Sequence, residues 1–178
     1  MKFSKLTERI SQLGSDKWLV HLEARKLKKN NPNIIELTIG EPDQLPPNEL
    51  IQKCYESMIS GRTKYSNGRG EESLLEALAK KYQSRTSLKV SKNNFLCLPG
   101  TQTALFATVM CLVEEGDEIL VGDPYYARYE GIIKSSGANL IPIPLREEHD
   151  FSLQENDIRK KITNKSKAIL LNYPHLSL

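Results

Sequence analysis

The feature that most narrows the fold of this chain is a regular alternation that begins near residue 94. Short apolar runs with strand character at 95–98, 118–122, 139–145 and 167–172 alternate with helical stretches at 101–115, 125–136 and about 153–162. Gly116 and Gly137 stand where the first two of these helices should stop, and Ser152 and Glu155 have the spacing of a capping box before the third. Strands that alternate with helices pair in parallel through crossover connections. The expected class is therefore α/β, a mainly parallel sheet flanked by helices.

The first ninety residues read differently. A helix is expected over 15–30, opening at Gly14-Ser15-Asp16 and carrying Trp18, Leu22 and Leu27 among Arg25, Lys26, Lys28 and Lys29. Its basic end is most simply a solvated face, because cations suit a helix C-terminus. Asn31-Pro32-Asn33 breaks it, and 34–39 reads as a short strand ending at Gly40-Glu41-Pro42-Asp43. Pro46-Pro47 opens a helix running to Ser60 with Gly61 as its stop. Asn67-Gly68 centres a turn over 64–70, and a helix over 71–85 sets Leu74, Leu75, Leu78 and Tyr82 on one side.

Composition removes several function classes. With 25 Lys+Arg against 22 Asp+Glu the formal charge is only +3, and the basic residues are scattered, which argues against a nucleic-acid partner. Hydrophobic residues at 39% and charged at 26% suit a globular protein rather than a disordered one. The longest nearly apolar run, 104–113, falls well short of the roughly 20 residues of a membrane span. The N-terminus lacks the apolar core of a signal peptide. Cys54, Cys97 and Cys111 are odd in number and show no paired spacing, so a disulfide framework or metal site is not expected and a reduced, cytoplasmic setting is.

In open α/β sheets, ligands gather at the carboxyl ends of strands, close to helix N-termini. Pro99-Gly100-Thr101-Gln102-Thr103 joins a strand to a helix, so free backbone N–H groups and hydroxyls meet a positive helix end, a setting for phosphate or carboxylate. The segment is neither a Walker loop nor a three-glycine dinucleotide fingerprint, and a glycine before a helix is common. Asp123-Pro124-Tyr125-Tyr126 puts two aromatics at the next strand end. One could stack on a planar ligand, or both could cover the seam between helix and sheet. Tyr65, Ser66 and Arg69 share a glycine turn that is otherwise an ordinary solvated loop.

Taken in order, Leu37-Thr38-Ile39-Gly40-Glu41-Pro42-Asp43, Tyr65-Ser66-Asn67-Gly68-Arg69-Gly70, Pro99 to Leu105, Gly116 to Val121 and Asp123 to Tyr126 form a specific set. It resembles the pyridoxal-phosphate-dependent aminotransferases of the aspartate aminotransferase type (class I/II, fold type I) over about residues 15–175. The resemblance implies a pyridoxal 5'-phosphate cofactor, amino acid and 2-oxo acid substrates, and a homodimer. It implies that Gly40 turns its backbone to the substrate's α-carboxylate. It makes Tyr65 the tyrosine that reaches the cofactor phosphate of the other subunit. Gly100, Thr101 and Gln102 become the phosphate loop, and Tyr126 the aromatic that stacks on the pyridine ring. Residues 1–45 would be an N-terminal helical arm and the start of the small domain. Residues 46–178 would be the N-terminal part of the large cofactor-binding domain.

In that family Asn172-Tyr173-Pro174-His175 should lead into Asn-Pro-Thr-Gly, whereas this chain reads Leu176-Ser177-Leu178. The aspartate for the pyridine nitrogen, the Schiff-base lysine and the carboxylate-gripping arginine would all lie further on. No lysine here stands in the family's Ser-x-x-Lys context, so no catalytic residue is expected in this chain. The expectation is a truncated, inactive aminotransferase whose sheet keeps an unpaired edge. The alternatives are a non-catalytic remnant serving as a dimerising or binding module, and a fragment of a pyridoxal-phosphate-dependent lyase or synthase of the same fold.

Overall fold

The computed structural model describes residues 3–11, 13 and 15–173, with 15–17 described in backbone only. In chain order it forms α1 (Lys5–Ile10), α2 (Ser15–Asn30), α3 (Asn48–Ile59), α4 (Glu72–Arg85) and α5 (Thr101–Leu112). There follow β1 (Glu118–Asp123), α6 (Arg128–Ser135), β2 (Asn139–Pro144), α7 (Glu155–Lys161) and β3 (Ser166–Leu170). Two compact units result. One, the sheet unit, takes in the chain up to Ile34 and from Gln102 onward, and the other, the loop unit, is Ile35–Thr101.

In the sheet unit the three strands are parallel, in the order β2-β1-β3. The sequences explain that order. β1 reads Glu-Ile-Leu-Val-Gly-Asp, a nearly unbroken apolar run suited to a central strand covered on both faces. β2 carries Pro142 and Pro144, which cannot donate to a ladder and so belong at an edge. Ile119 and Val121 face α5 and α6 and pack with Val109, Val113, Ile133 and Ala138. The opposite face of β1 carries Leu120, fully buried like Ile143 of β2. β3 holds the other edge, where Ile169 and Leu171 stay exposed. Polar contacts tie both ends of the sheet. The Glu118 carboxylate accepts from the hydroxyls of Thr163 (2.6 Å) and Ser166 (3.2 Å). Arg146 forks onto Asp157 (2.6 and 3.3 Å), which fixes the loop after β2 to α7. The Arg9 guanidinium pins α1 by donating to the Ser135 carbonyl (3.2 Å) at the end of α6.

The loop unit is built around α4, where Leu75 and Ala79 are the buried apolar side chains. Tyr82 meets Phe95 with ring centroids 5.4 Å apart, Lys92 pairs with Glu72 and with Glu76 (3.6 Å), and the Gln83 amide donates to the Val90 carbonyl. α3 leaves Leu50, Ile51, Tyr55, Met58 and Ile59 exposed.

Most expected elements form close to the expected places, and Gly61, Gly116 and Gly137 end their helices with φ of 82°, 90° and 88°. The expected strands at 34–39 and 95–98 are corrected: neither joins a sheet, and 38–39 bend. A strand needs a partner to fill its hydrogen bonds. Ile35 and Leu37 lie exposed, and the only backbone bond from another segment to 95–98 among the described residues is Cys97 N–H to the Arg69 carbonyl (2.9 Å). The capping box is also corrected. Gln154, not Ser152, precedes α7, because Asp150 and Phe151 take left-handed φ of 48° and 51° and spend Ser152 in a turn that donates to the His149 carbonyl. α6 opens three residues later than expected, after a loop containing the cis Asp123–Pro124 peptide.

Candidate functional site

The loop into α5 has the geometry of an anion cradle. Gly100 adopts φ 86°, a conformation that L side chains resist, and this swings the chain from the 95–98 segment into the helix at Thr101. A Cβ placed at Gly100 would meet no atom within 4 Å, so the space in front of the loop is open. The N–H groups of the first helical turn have no intrahelical acceptor and carry the positive end of a helix of 12 residues. Gly100, Thr101 and Gln102 are all exposed here. The Arg128 guanidinium at the start of α6 donates to the Gln102 side-chain carbonyl (3.4 Å), bringing a cation beside the loop.

The two tyrosines after β1 differ in burial. Tyr125 packs against the core formed by β1, α5 and α6, and burial raises its phenol pKa, helped by Glu130 and Asp123. Tyr129 packs there too, and burial likewise raises its pKa. Tyr126 stands apart from that core, 42% exposed, edge-on to Tyr129 at 5.6 Å and 75°. The seam is thus covered by Tyr125 and Tyr129, while Tyr126 stays partly exposed. Beside it, at the carboxyl ends of β1 and β3, a cavity of about 480 Å³ is lined by Val121, Gly122, Tyr129, Leu145, Phe151 and Tyr173.

In the loop unit Tyr65 is fully exposed. Its turn is held by Glu71, whose carboxylate accepts from Arg62 (3.1 Å) and from the Ser66 hydroxyl. Those contacts, the Ser66 hydrogen bond first, hold the Glu71 pKa below the ordinary glutamate value. Gly40 is exposed, with no atom within 4 Å of a would-be Cβ. Gly40, Tyr65, Gly100 and Thr101 therefore fall in the loop unit, Gln102 and Tyr126 in the sheet unit. Asn172 and Tyr173 are described, whereas Pro174 and His175 lie outside the described residues. The sequence pattern marks Arg69 only as a member of the turn and does not mark Arg128 or the Arg62–Glu71 pair, since guanidinium contacts leave no periodic signature. Among the described residues no group of His, Cys, Asp and Glu could hold a metal ion, and no helix is long and apolar enough to cross a membrane.

Residues 32–176 match the family profile of aminotransferase class I and II. The chain belongs to that family. It is 33% identical to the arginine–pyruvate transaminase of Pseudomonas aeruginosa, over 98% of this chain and 44% of that protein. It is 31% identical to human kynurenine–oxoglutarate transaminase 3, over 98% of this chain and 40% of that one. Among solved structures, aspartate aminotransferase from Thermus thermophilus with maleate superposes with a TM-score of 0.90 at 26% identity, covering 99% of this chain and 46% of that one. The fold is that of aminotransferases, and the chain spans less than half the length of the relatives it matches.

The open space before Gly100 and the N–H groups of the first turn of α5 fit the phosphate of pyridoxal phosphate.

Proposed function

We propose that this chain is the N-terminal portion of a pyridoxal-phosphate-dependent aminotransferase, a protein that passes an amino group between an amino acid and a 2-oxo acid. The observation that carries the reading is the α5 entrance, where Gly100 at φ 86° presents a free helix N-terminus to open space. The cofactor, when bound, supplies the electron-withdrawing ring that makes the substrate's Cα–H bond labile. The chain's own residues bind and orient it. The N–H groups from Gly100 to Gln102 hold the phosphate, with the side chains of Thr101 and Gln102 closing the cup. Tyr126 supports one face of the ring. Tyr65 extends from an exposed turn and donates its phenol to a phosphate in the second copy of a homodimer. Gly40, lacking a side chain, lets the backbone approach the substrate carboxylate.

In this reading residues 1–45 are the arm and the start of the small domain, 46–178 belong to the large domain, and the protein works in the cytoplasm. No lysine of the chain takes the Schiff-base role, because none stands in a Ser-x-x-Lys context. That favours a second reading of the 178-residue chain taken alone, a binding module without catalysis.

The test is titration with pyridoxal 5'-phosphate. Thr101→Pro keeps a good helix start but removes one phosphate-facing N–H, and should weaken binding about tenfold, the value of a charge-assisted hydrogen bond. Unchanged affinity would remove the phosphate loop from the proposal. Borohydride treatment that fixes the cofactor to a lysine of this chain would overturn the lysine assignment. Transfer from an amino acid to 2-oxoglutarate by the full-length protein is expected, and failure with every 2-oxo acid would favour a lyase or synthase.

A further inference from the structure

One arginine outside the proposed cofactor contacts fastens two of them together. The Arg69 guanidinium Nη2 donates to the carbonyl oxygens of Asn93 (2.5 Å) and Phe95 (3.4 Å). The Arg69 carbonyl accepts from the Cys97 N–H (2.9 Å). At the next residue the backbone lies flat against the same segment: a Cβ at Gly70 would stand 3.0 Å from Cys97 Cβ and 3.3 Å from its Sγ, at a φ of 120°. The turn itself is closed internally, since Asn67 accepts from Arg69 N–H through its side chain (3.0 Å) and from Gly70 N–H through its carbonyl (2.9 Å). The 67–70 turn is thus fastened to the 93–97 segment by a guanidinium, a backbone hydrogen bond and a tight contact.

What lies at the two ends of this fastening gives it consequence. Tyr65 comes just before the turn, and the 93–97 segment runs directly into Gly100 and Thr101. The Tyr65 ring is fully exposed, so its position is set by its backbone rather than by packing. The 93–97 segment joins no strand, so Arg69 also supplies hydrogen bonds that a sheet would otherwise give. Both carbonyls take their hydrogen bond from the one nitrogen Nη2, at the end of a side chain that is charged at any working pH.

We propose that Arg69 is a positioning residue for the cofactor phosphate of the second copy: it fixes the turn that carries Tyr65 on the 93–97 segment of its own chain, so that the phenol is presented outward at a set place. The inference rests on the cofactor reading given above. Arg69 does not touch the phosphate; it acts through Tyr65, whose phenol is worth little unless it is presented at the right distance.

Two ligands separate this role from a merely structural one: pyridoxal 5'-phosphate, and pyridoxal without the phosphate. Equilibrium dialysis of the full-length protein should show Arg69→Met losing about tenfold in affinity for the phosphorylated ligand while pyridoxal binding changes less than about twofold. Arg69→Lys should recover part of the loss. The double variant Tyr65→Phe/Arg69→Met should bind no more weakly than Tyr65→Phe alone, because two residues acting through one contact are not additive. Unchanged affinity in Arg69→Met, equal loss for both ligands, or full additivity in the double variant would each overturn the proposal. If Arg69→Met does not fold, as judged by thermal melting, Arg69→Lys and its double variant with Tyr65→Phe carry the same comparison. A wild-type protein that binds the phosphorylated ligand no more tightly than pyridoxal would instead overturn the cofactor reading, and that outcome needs no variant.

Discussion

The two compact units of this chain are held together by different physics. In the sheet unit Leu120, Ile133 and Ile143 are wholly removed from solvent and Val121 nearly so, around a central parallel strand. In the loop unit Leu75 and Ala79 are the buried apolar residues, and order comes from directed polar contacts: Arg69 on two carbonyls, Arg62 and Ser66 on Glu71, Lys92 on Glu72. Apolar burial is non-directional and resists salt and pH, whereas exposed ion pairs contribute little and are screened. The difference matters for the residues assigned roles in the proposed function: Tyr126 stands on the well-packed unit, and Tyr65 on the one held by hydrogen bonds.

The largest expected effect tests the packed side of that contrast. Leu120→Ala removes a fully buried side chain from the central strand and should cost about 2–5 kcal/mol, measured by denaturant unfolding. A cost below about 1 kcal/mol would mean that the opposite face of β1 can collapse onto the gap, and the contrast between the units would weaken.

A smaller effect is expected from Gly70→Ala. The added methyl would meet Cys97 Cβ at 3.0 Å on a backbone at φ 120°, so crowding and conformational strain combine. A loss of about 1–3 kcal/mol is expected, with faster amide exchange at Cys97. Full stability and unaltered protection at Cys97 would show that the turn is not seated on the 93–97 segment as described.

The same contrast explains what could be read from the sequence. The three strands of the sheet, the helices between them and the stops at Gly116 and Gly137 follow from local pattern, because burial on both faces of β1 leaves a nearly continuous apolar run. The segments at 34–39 and 95–98 carry the same apolar character but form no strand here, since strand formation depends on a neighbour that local pattern does not encode. Tyr126 was visible as an aromatic at a strand end; its separation from Tyr125, which takes the seam, depends on side-chain direction. Arg69 was visible only as one basic residue in a turn. Its role comes from backbone carbonyls more than twenty residues away, and every residue type offers a carbonyl.

The smallest effect concerns pH and separates the two units most cleanly. The Glu71 carboxyl is held below its ordinary pKa by the Ser66 hydrogen bond and by Arg62. A group whose pKa is depressed in the folded state contributes stability that is complete above its unfolded pKa and disappears as pH falls through the folded value. Neutral solution should therefore keep the Tyr65 turn ordered, and acid should loosen it, beginning below about pH 4.3, the ordinary glutamate value. Glu71→Gln should remove that dependence and leave the turn equally loose at either pH. Amide protection factors across the acid range read this directly, with loss expected at 66–71 while Leu120 and Val121 stay protected. Raising the salt concentration at neutral pH should move the same amides in the same direction, since the Arg62–Glu71 pair is exposed to screening. Protection at 66–71 that follows β1 through both changes would show that the turn is held by packing instead, and Tyr65 would then need no polar fastening at all.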